Sequence, residues 1–265
     1  MRRNQKLLFG VHFDAIRMED VVARAHSAIA TRRRLLIGVL NAAKIVNMRR
    51  DPLLRGSLME CDLMLADGQS VVWASKLLRR PLPERIAGID IFENLLGLAN
   101  RAKHSVYLLG ARPEVLHTLE MQIRERFPDL RIVGSHHGYF DMKEAPQVAD
   151  RIRQSGADML FLGITSPKKE IFLGTYGPSL DVPVLHGVGG SFDIMAGLTR
   201  RAPASWQRLG MEWAYRVLQE PGRLWWRYLS TNTIFMLLTL RELVRPARAL
   251  PRGPAGESLK AVHYF

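Results

Sequence analysis

Apolar runs of strand length alternate with helical spacings along most of this chain. Residues 35–40 form one such run, which stops at Asn41, and 42–48 then follow a helical pattern. Residues 63–66 repeat the layout: four mostly apolar positions, then Asp67-Gly68, then a helical pattern over 70–78. Further strands are predicted at 105–110, 131–134, 157–163 and 182–187. Helices are predicted at 21–29, 52–60, 91–101, 113–127 and 145–154, and another opens at Pro167. Glu19 and Asp20 suit the start of the first of these, Pro113 suits a first helical turn, and Asp90 reads as an N-cap. The unit of strand, glycine or polar terminus, and helix recurs about six times. That alternation predicts an α/β fold, a mostly parallel sheet with helices on both faces.

In such a sheet the groups just past the carboxyl ends of the strands face the ligand crevice. Asp67 stands at one of these positions, and two readings are open. It caps the helix that follows, or it is a general base in the crevice. Gly68 lets the chain turn and lets a ligand approach the backbone. Asn41 has the same layout and reads as an N-cap, a ligand contact, or both. Arg85 lies between turn signals and reads as exposed or as a phosphate contact. The triplet Arg32-Arg33-Arg34 reads as a solvated face. Neither GxGxxG nor GxxxxGK[ST] follows any strand, so the nucleotide sites built on those motifs are not supported. The neighbours His136 and His137 invite a metal reading, but no second cluster at ligand spacing accompanies them. The single cysteine, Cys61, sits between Met59 and Leu63 and reads as a packed thiol.

Charge changes the picture at the C-terminal end. The 265 residues hold 38 basic and 25 acidic side chains, a formal net charge of +13. Such a balance favours anionic partners: nucleic acid, phosphate-bearing substrates or an anionic membrane. Ten Arg and only three Glu lie between 200 and 252, with four of the five Trp. Interleaved Arg and Trp suit a membrane interface, and they also suit single-stranded nucleic acid. Ile234, Leu237, Leu238 and Arg241 continue a helical spacing there. The domains read as a catalytic α/β unit over 1–199, a helical membrane-associating appendage over 200–250, and a disordered tail over 251–265. No stretch approaches the roughly 20 apolar residues of a spanning helix. The basic start and short apolar run at 7–11 do not make a signal peptide, so a cytoplasmic protein is expected.

Nine short motifs then occur in the order of one known family. They are Asn41 after its strand, Ala66-Asp67-Gly68, 85–90 (RIAGID), 106–110 (VYLLG), Gly138-Tyr139-Phe140, Pro167-Lys168-Lys169-Glu170, Gly187-Val188-Gly189-Gly190, Arg201-Ala202-Pro203, and 212–216 with 220–223. Over about residues 7 to 240 the chain resembles the WecG/TagA/CpsF glycosyltransferases. The resemblance implies a Rossmann-like core with a C-terminal appendage that binds membrane and helps complete the site. It implies a bacterial inverting enzyme that moves a sugar from a UDP-sugar to a polyprenyl-diphosphate-linked saccharide. That reaction takes place on the cytoplasmic membrane face, in teichoic acid, common antigen or exopolysaccharide assembly. The donor would be of N-acetylmannosamine, N-acetylmannosaminuronic acid or glucose type. No cofactor and no metal are implied, no nucleic acid is expected as a partner, and there is room for a homo-oligomer.

The implied base is Asp67. Substrate contacts carried over by motif are Asn41, Gly68, Arg85, Gly88 and Gly110, then Tyr139, Phe140, Lys169 and Glu170, then Gly187 and Gly189. Arg216, Arg223 and Arg227, with Trp225 and Trp226, are assigned to membrane and diphosphate. With no obvious metal site, Arg, Lys and strand-end glycines would stabilise the departing diphosphate. Two positions depart from the family pattern: Val39 stands where Thr is common, and Lys169 where Gln is common. The rival from another class is a non-enzymatic membrane- or nucleic-acid-binding protein that uses the Arg/Trp region.

Overall fold

The computed structural model of the protein describes residues 4–208, 210–219 and 221–251. The chain begins with a hairpin, β1 (Gln5–Leu8) and β2 (Val11–Asp14). Phe9 and Gly10 turn between the strands at φ 55° and 83°, as a tight two-residue hairpin turn requires. The short apolar run at 7–11 is therefore part of a packed hairpin. Then follow α1 (Met18–Ala30), β3 (Leu35–Leu40), α2 (Ala42–Arg50), α3 (Pro52–Met59), β4 (Leu63–Ala66) and α4 (Gln69–Leu77). The middle of the chain gives α5 (Gly88–Ala102), β5 (Ser105–Gly110), α6 (Pro113–Arg126), β6 (Arg131–His136) and α7 (Ala145–Gln154). The last strands and their helices are β7 (Met159–Gly163), α8 (Lys168–Tyr176), β8 (Val184–Gly187) and α9 (Ser191–Met195). Three helices close the described chain: α10 (Ala204–Arg208), α11 (Glu212–Gln219) and α12 (Pro221–Val244).

Among the described residues six strands form one sheet in the order β4-β3-β8-β7-β5-β6, with every pairing parallel. Parallel strands need helical crossovers, and those helices cover both faces. The alternation of side chains shows it. Ile37, Val39, Leu63, Leu65, Leu108 and Phe161 pack on one face against α1, α5 and α6. Leu36, Tyr107, Leu109, Leu160 and Leu162 pack on the other, against α7 and α8. Leu40, Met64 and Ala66 meet α2, α4 and the hairpin on that second face. Phe92, Phe161 and Phe192 join α5, β7 and α9 by ring contacts at 4.8 and 5.5 Å.

One helix start differs from the sequence reading. The helix expected from 91 begins at Gly88, with Ala87 as its N-cap, so Asp90 lies inside the first turn and is not the cap. Its carboxylate is drawn instead to Arg85 and Arg201. Both termini of the described chain converge. Phe235 of α12 is 4% exposed and stacks on Phe9 at 4.9 Å. Glu242 Oε2 accepts from the Phe9 N–H at 2.8 Å, and its Oε1 meets Arg80 at 3.2 Å. Leu250 N donates to Gly10 O at 2.8 Å. The inward row Thr231, Phe235, Thr239 and Glu242 is thus part of the core. The tail expected over 251–265 lies, apart from Pro251, outside the described residues. No described helix is long and apolar enough to cross a membrane.

Candidate active site

The carboxyl ends of β3, β4, β7 and β8 open onto one cleft of about 1330 Å³. Drug-sized ligands occupy pockets of roughly 300 to 1,000 Å³, so this cleft has room for two substrates. Asn41, Asp67, Gly163 and Gly187 to Gly190 form its floor. Ala111, Arg112 and Tyr139 stand on one wall, and Glu212, Trp213, Tyr228 and Asn232 of α11 and α12 stand on the outer one.

Asp67 comes into place because β3 and β4 pair in register, with Leu40 beside Ala66. Its own N–H continues that ladder, donating to Leu40 O at 2.9 Å. Beyond β4 the chain returns, and Ile86 N donates to Ala66 O at 2.8 Å, which brings Gly88 alongside. Asp67 Oδ1 then accepts from the Gly88 N–H at 3.1 Å, and its Oδ2 lies 3.4 Å from Asn41 Nδ2. The helix that follows Asp67 has Gly68 at its N-cap position and no side-chain cap. The capping alternative for α4 is therefore not observed. The carboxylate sits instead at the N-terminus of α5, where the helix dipole favours negative charge. Two of its roughly four lone-pair sites remain for a ligand. Asn41 is the N-cap of α2, its Oδ1 accepting from Lys44 N at 3.0 Å, and its amide also steadies Asp67.

Beneath the floor lies a cluster of buried charges. Lys44 Nζ is 2.8 Å from Val39 O and 2.9 Å from Glu170 Oε1. Lys169 Nζ is 2.6 Å from the same Glu170 oxygen. Burial opposes the charge of Lys44, but the Glu170 carboxylate outweighs it and raises the lysine above its ordinary value. For Lys169 burial wins, with Lys44 adding repulsion, and the amine titrates at about 8. Burial pushes Glu170 up, yet the two lysines hold it well below the usual carboxylate range. Two cations and one anion leave a net positive charge under the strand ends. Gly187 makes room for it, because a Cβ there would lie 3.0 Å from the Lys169 side chain. His186, fully buried, lies 3.2 Å from both Ile37 O and Gly88 O, and burial lowers it to about 4. A neutral ring there has one N–H, so it donates to one of these two carbonyls and packs against the other.

The other predicted contacts divide by position. Gly68, Arg85, Gly88, Tyr139, Phe140, Lys169, Gly187 and Gly189 all line the cleft. Glu170 does not; it lies below, locked to the lysines. Gly110 does not line it either. At φ +135° its missing Cβ would fall 2.5 Å from the Gly163 backbone, so it lets the ends of β5 and β7 close together. Arg85 pairs with Asp90 at 3.6 Å and with Glu212. His136 and His137 are spent on local bonds, to His137 O and from Tyr139 N. Among the described residues no three His, Cys, Asp or Glu side chains are grouped to hold a metal. Trp225 and Trp226 are exposed on α12 and stand outside the cleft wall. The side chains of Arg216, Arg223 and Arg227 lie outside the described residues. Sequence reasoning missed Lys44 and Glu212 as members of the site. Lys44 meets a carboxylate on a helix far along the chain, and no spacing announces that.

An open parallel sheet with an acid and two lysines at its carboxyl edge defines an α/β protein of the ligand-crevice kind. The model of the glycosyl transferase WecG/TagA/CpsF family matches residues 6–249. A relative from Bacillus spizizenii, an N-acetylglucosaminyldiphosphoundecaprenol N-acetyl-beta-D-mannosaminyltransferase, is 38% identical over 181 residues, covering 68% of this chain and 69% of that protein. The chain belongs to the WecG/TagA/CpsF family and is a glycosyltransferase. The non-enzymatic reading of the Arg/Trp region is set aside.

Proposed function

We propose that this glycosyltransferase moves a sugar, with inversion, from a UDP-sugar to a polyprenyl-diphosphate-linked saccharide during cell-surface polysaccharide assembly. The carrying observation is the Asp67 carboxylate, held by Gly88 N–H and Asn41 above a positively charged floor. As the acceptor hydroxyl oxygen attacks the anomeric carbon, Asp67 takes its proton. The bond from that carbon to the diphosphate breaks, and its electron pair leaves on UDP. Arg85 and Lys169, which line the cleft, would face the charge that develops. Attack from the side opposite the leaving group inverts the anomeric centre. In this reading these cations take the part a metal would otherwise play, and none is expected to be required.

In this reading the reaction takes place at the inner face of the bacterial cytoplasmic membrane. The outward row of α12, with Trp225, Trp226, Met236, Leu237 and Leu240 exposed, would meet the lipid. The relative's name gives the first substrates to try: an N-acetylmannosaminyl donor and N-acetylglucosaminyl-diphosphoundecaprenol. The test is transfer of radiolabel from a panel of UDP-sugars to lipid-linked acceptors, with the anomer of the product read by NMR. Inverted product from one UDP-sugar is expected. Retention at the anomeric carbon, or transfer from no UDP-sugar at all, overturns the proposal.

A further inference from the structure

The ion pairs around Arg85 form a closed ring. Arg85 Nη2 lies 3.6 Å from Asp90 Oδ2, and its Nη1 meets Glu212 Oε2. Arg201 Nη2 lies 2.6 Å from Asp90 Oδ1, and its Nε lies 3.4 Å from Glu212 Oε1. Each carboxylate bridges both guanidinium groups. The four residues come from four segments: the turn before α5, the first turn of α5, the stretch after α9, and the start of α11. All four side chains are less than a third exposed. Arg85 and Glu212 line the cleft, and the other two stand behind them.

We propose that Glu212 is a positioning residue for sugar transfer: through this ring it aims Arg85 into the cleft and fastens α11 over it. Closing the helical segment and setting the cation are then one event. The inference rests on the reading that Arg85 meets the donor's diphosphate. A guanidinium carries five N–H donors in a rigid fork. The ring engages it through one nitrogen toward each carboxylate, and the rest of the fork remains for phosphate oxygens. An unheld arginine would lose rotamer freedom on binding; here the ring has already taken it.

Simple charge counting predicts the opposite of this proposal, which makes the test decisive. Two arginines and two carboxylates cancel, so removing the Glu212 charge would leave the rim more positive and bind an anion more tightly. Positioning requires weaker binding. The experiment uses the full chain and UDP as the probe, with calorimetry on Glu212→Gln, Glu212→Asp, Arg85→Ala and the Arg85→Ala/Glu212→Gln double variant. Glu212→Gln should weaken UDP about tenfold, and Glu212→Asp should recover part of that loss. In the Arg85→Ala background Glu212→Gln should cost nothing further, because Glu212 acts through Arg85. Amide exchange over 212–219 should speed up in Glu212→Gln without UDP. Unchanged or tighter UDP binding in Glu212→Gln, with Arg85→Ala weakened, overturns this inference alone, as does a full additive loss in the double variant. Unchanged binding in Arg85→Ala overturns the diphosphate reading of Arg85 and this inference with it.

Discussion

Asn41 Nδ2 lies 3.4 Å from Asp67 Oδ2, across 26 residues of sequence. The contact follows from register: Leu40 pairs with Ala66 in parallel strands, so the first residue past each strand stands beside the other. Asn41 is itself pinned by capping α2. The orientation of the carboxylate is thereby tied to a helix start that exists for reasons of its own.

Replacing Asp67 by Asn should keep the fold, because the amide oxygen can still accept from Gly88 N–H. What is lost is the ability to take a proton. Removing a general base costs roughly 10² to 10⁴ in rate. Single-turnover transfer on a lipid-linked acceptor should fall by that much at unchanged thermal midpoint. Near-normal turnover would reduce Asp67 to an anchor for α5.

Lys169 gives a pH signature with two opposite signs. It titrates at about 8 in the folded protein, below the 10.5 of an ordinary lysine, because it is buried and Lys44 repels it. Between those values the unfolded chain holds the proton and the folded one does not. This group therefore makes stability rise with pH across that window, and its burdening of the fold is greatest below it. Affinity for UDP should move the other way and weaken above about pH 8, as the cleft loses a cation. Titrations with UDP from about pH 7 to about pH 9.5 read this effect. The alkaline weakening should vanish in Lys169→Gln; a flat wild-type profile would take Lys169 out of the diphosphate site.

Much of this was legible beforehand, and the failures have physical causes. β3, β4 and β5 are continuous apolar runs closed by Asn41, Asp67 and Gly110, and their observed bounds match the pattern. Buried parallel strands leave that trace because both faces are covered. The hairpin went unread because Phe9-Gly10 lacks the usual Asn-Gly or Asp-Gly signal. Asp90 looked like a cap because an acid at a helix start is one, whereas here two arginines from distant segments compete for it. The Lys44–Glu170–Lys169 cluster and the Arg85–Glu212 pair are tertiary: local pattern cannot report them. In α12 the helical spacing was visible, but not which face Phe9 would claim.

Chelation should leave the enzyme working. Arg85 and Lys169 line the cleft and are cations at neutral pH, and in the proposed mechanism they do what a divalent ion would otherwise do. UDP affinity and transfer rate should be the same in EDTA as in magnesium. Strict dependence on added magnesium or manganese would overturn this and make Asp67 a candidate metal ligand.

Phe235→Ala should destabilise the whole protein, not only α12. Its ring is buried between the hairpin and α2, at 4.9 Å from Phe9. Truncating a buried Phe costs about 3 to 5 kcal/mol. A large fall in thermal midpoint with a single transition is expected. Two separated transitions would mean that α12 unfolds independently of the sheet.

The outward face of α12 yields the last prediction. Its 24 residues span about 36 Å at 1.5 Å per residue. One side is committed to the core through Thr231, Phe235, Thr239 and Glu242. The other leaves Trp226 74% exposed and Val244 81% exposed, with Trp225 just before them and Met236, Leu237 and Leu240 between them in the chain. An apolar row of this length on a basic segment is what an interfacial helix presents to lipid. Removing α12 altogether is a poor test, since that would also strip Phe235 and Glu242 from the hairpin. Trp225→Ser with Trp226→Ser is better, because both indoles already face solvent and the thermal midpoint should hold. The double variant should sediment with anionic liposomes far less than wild type, and high salt should weaken binding of both proteins. Turnover of a long polyprenyl acceptor in vesicles should fall, while that of a short, water-soluble acceptor should not. Equal sedimentation by the variant and wild type would show that the indoles serve something other than lipid. A loss on both acceptors alike would place them in the chemistry instead.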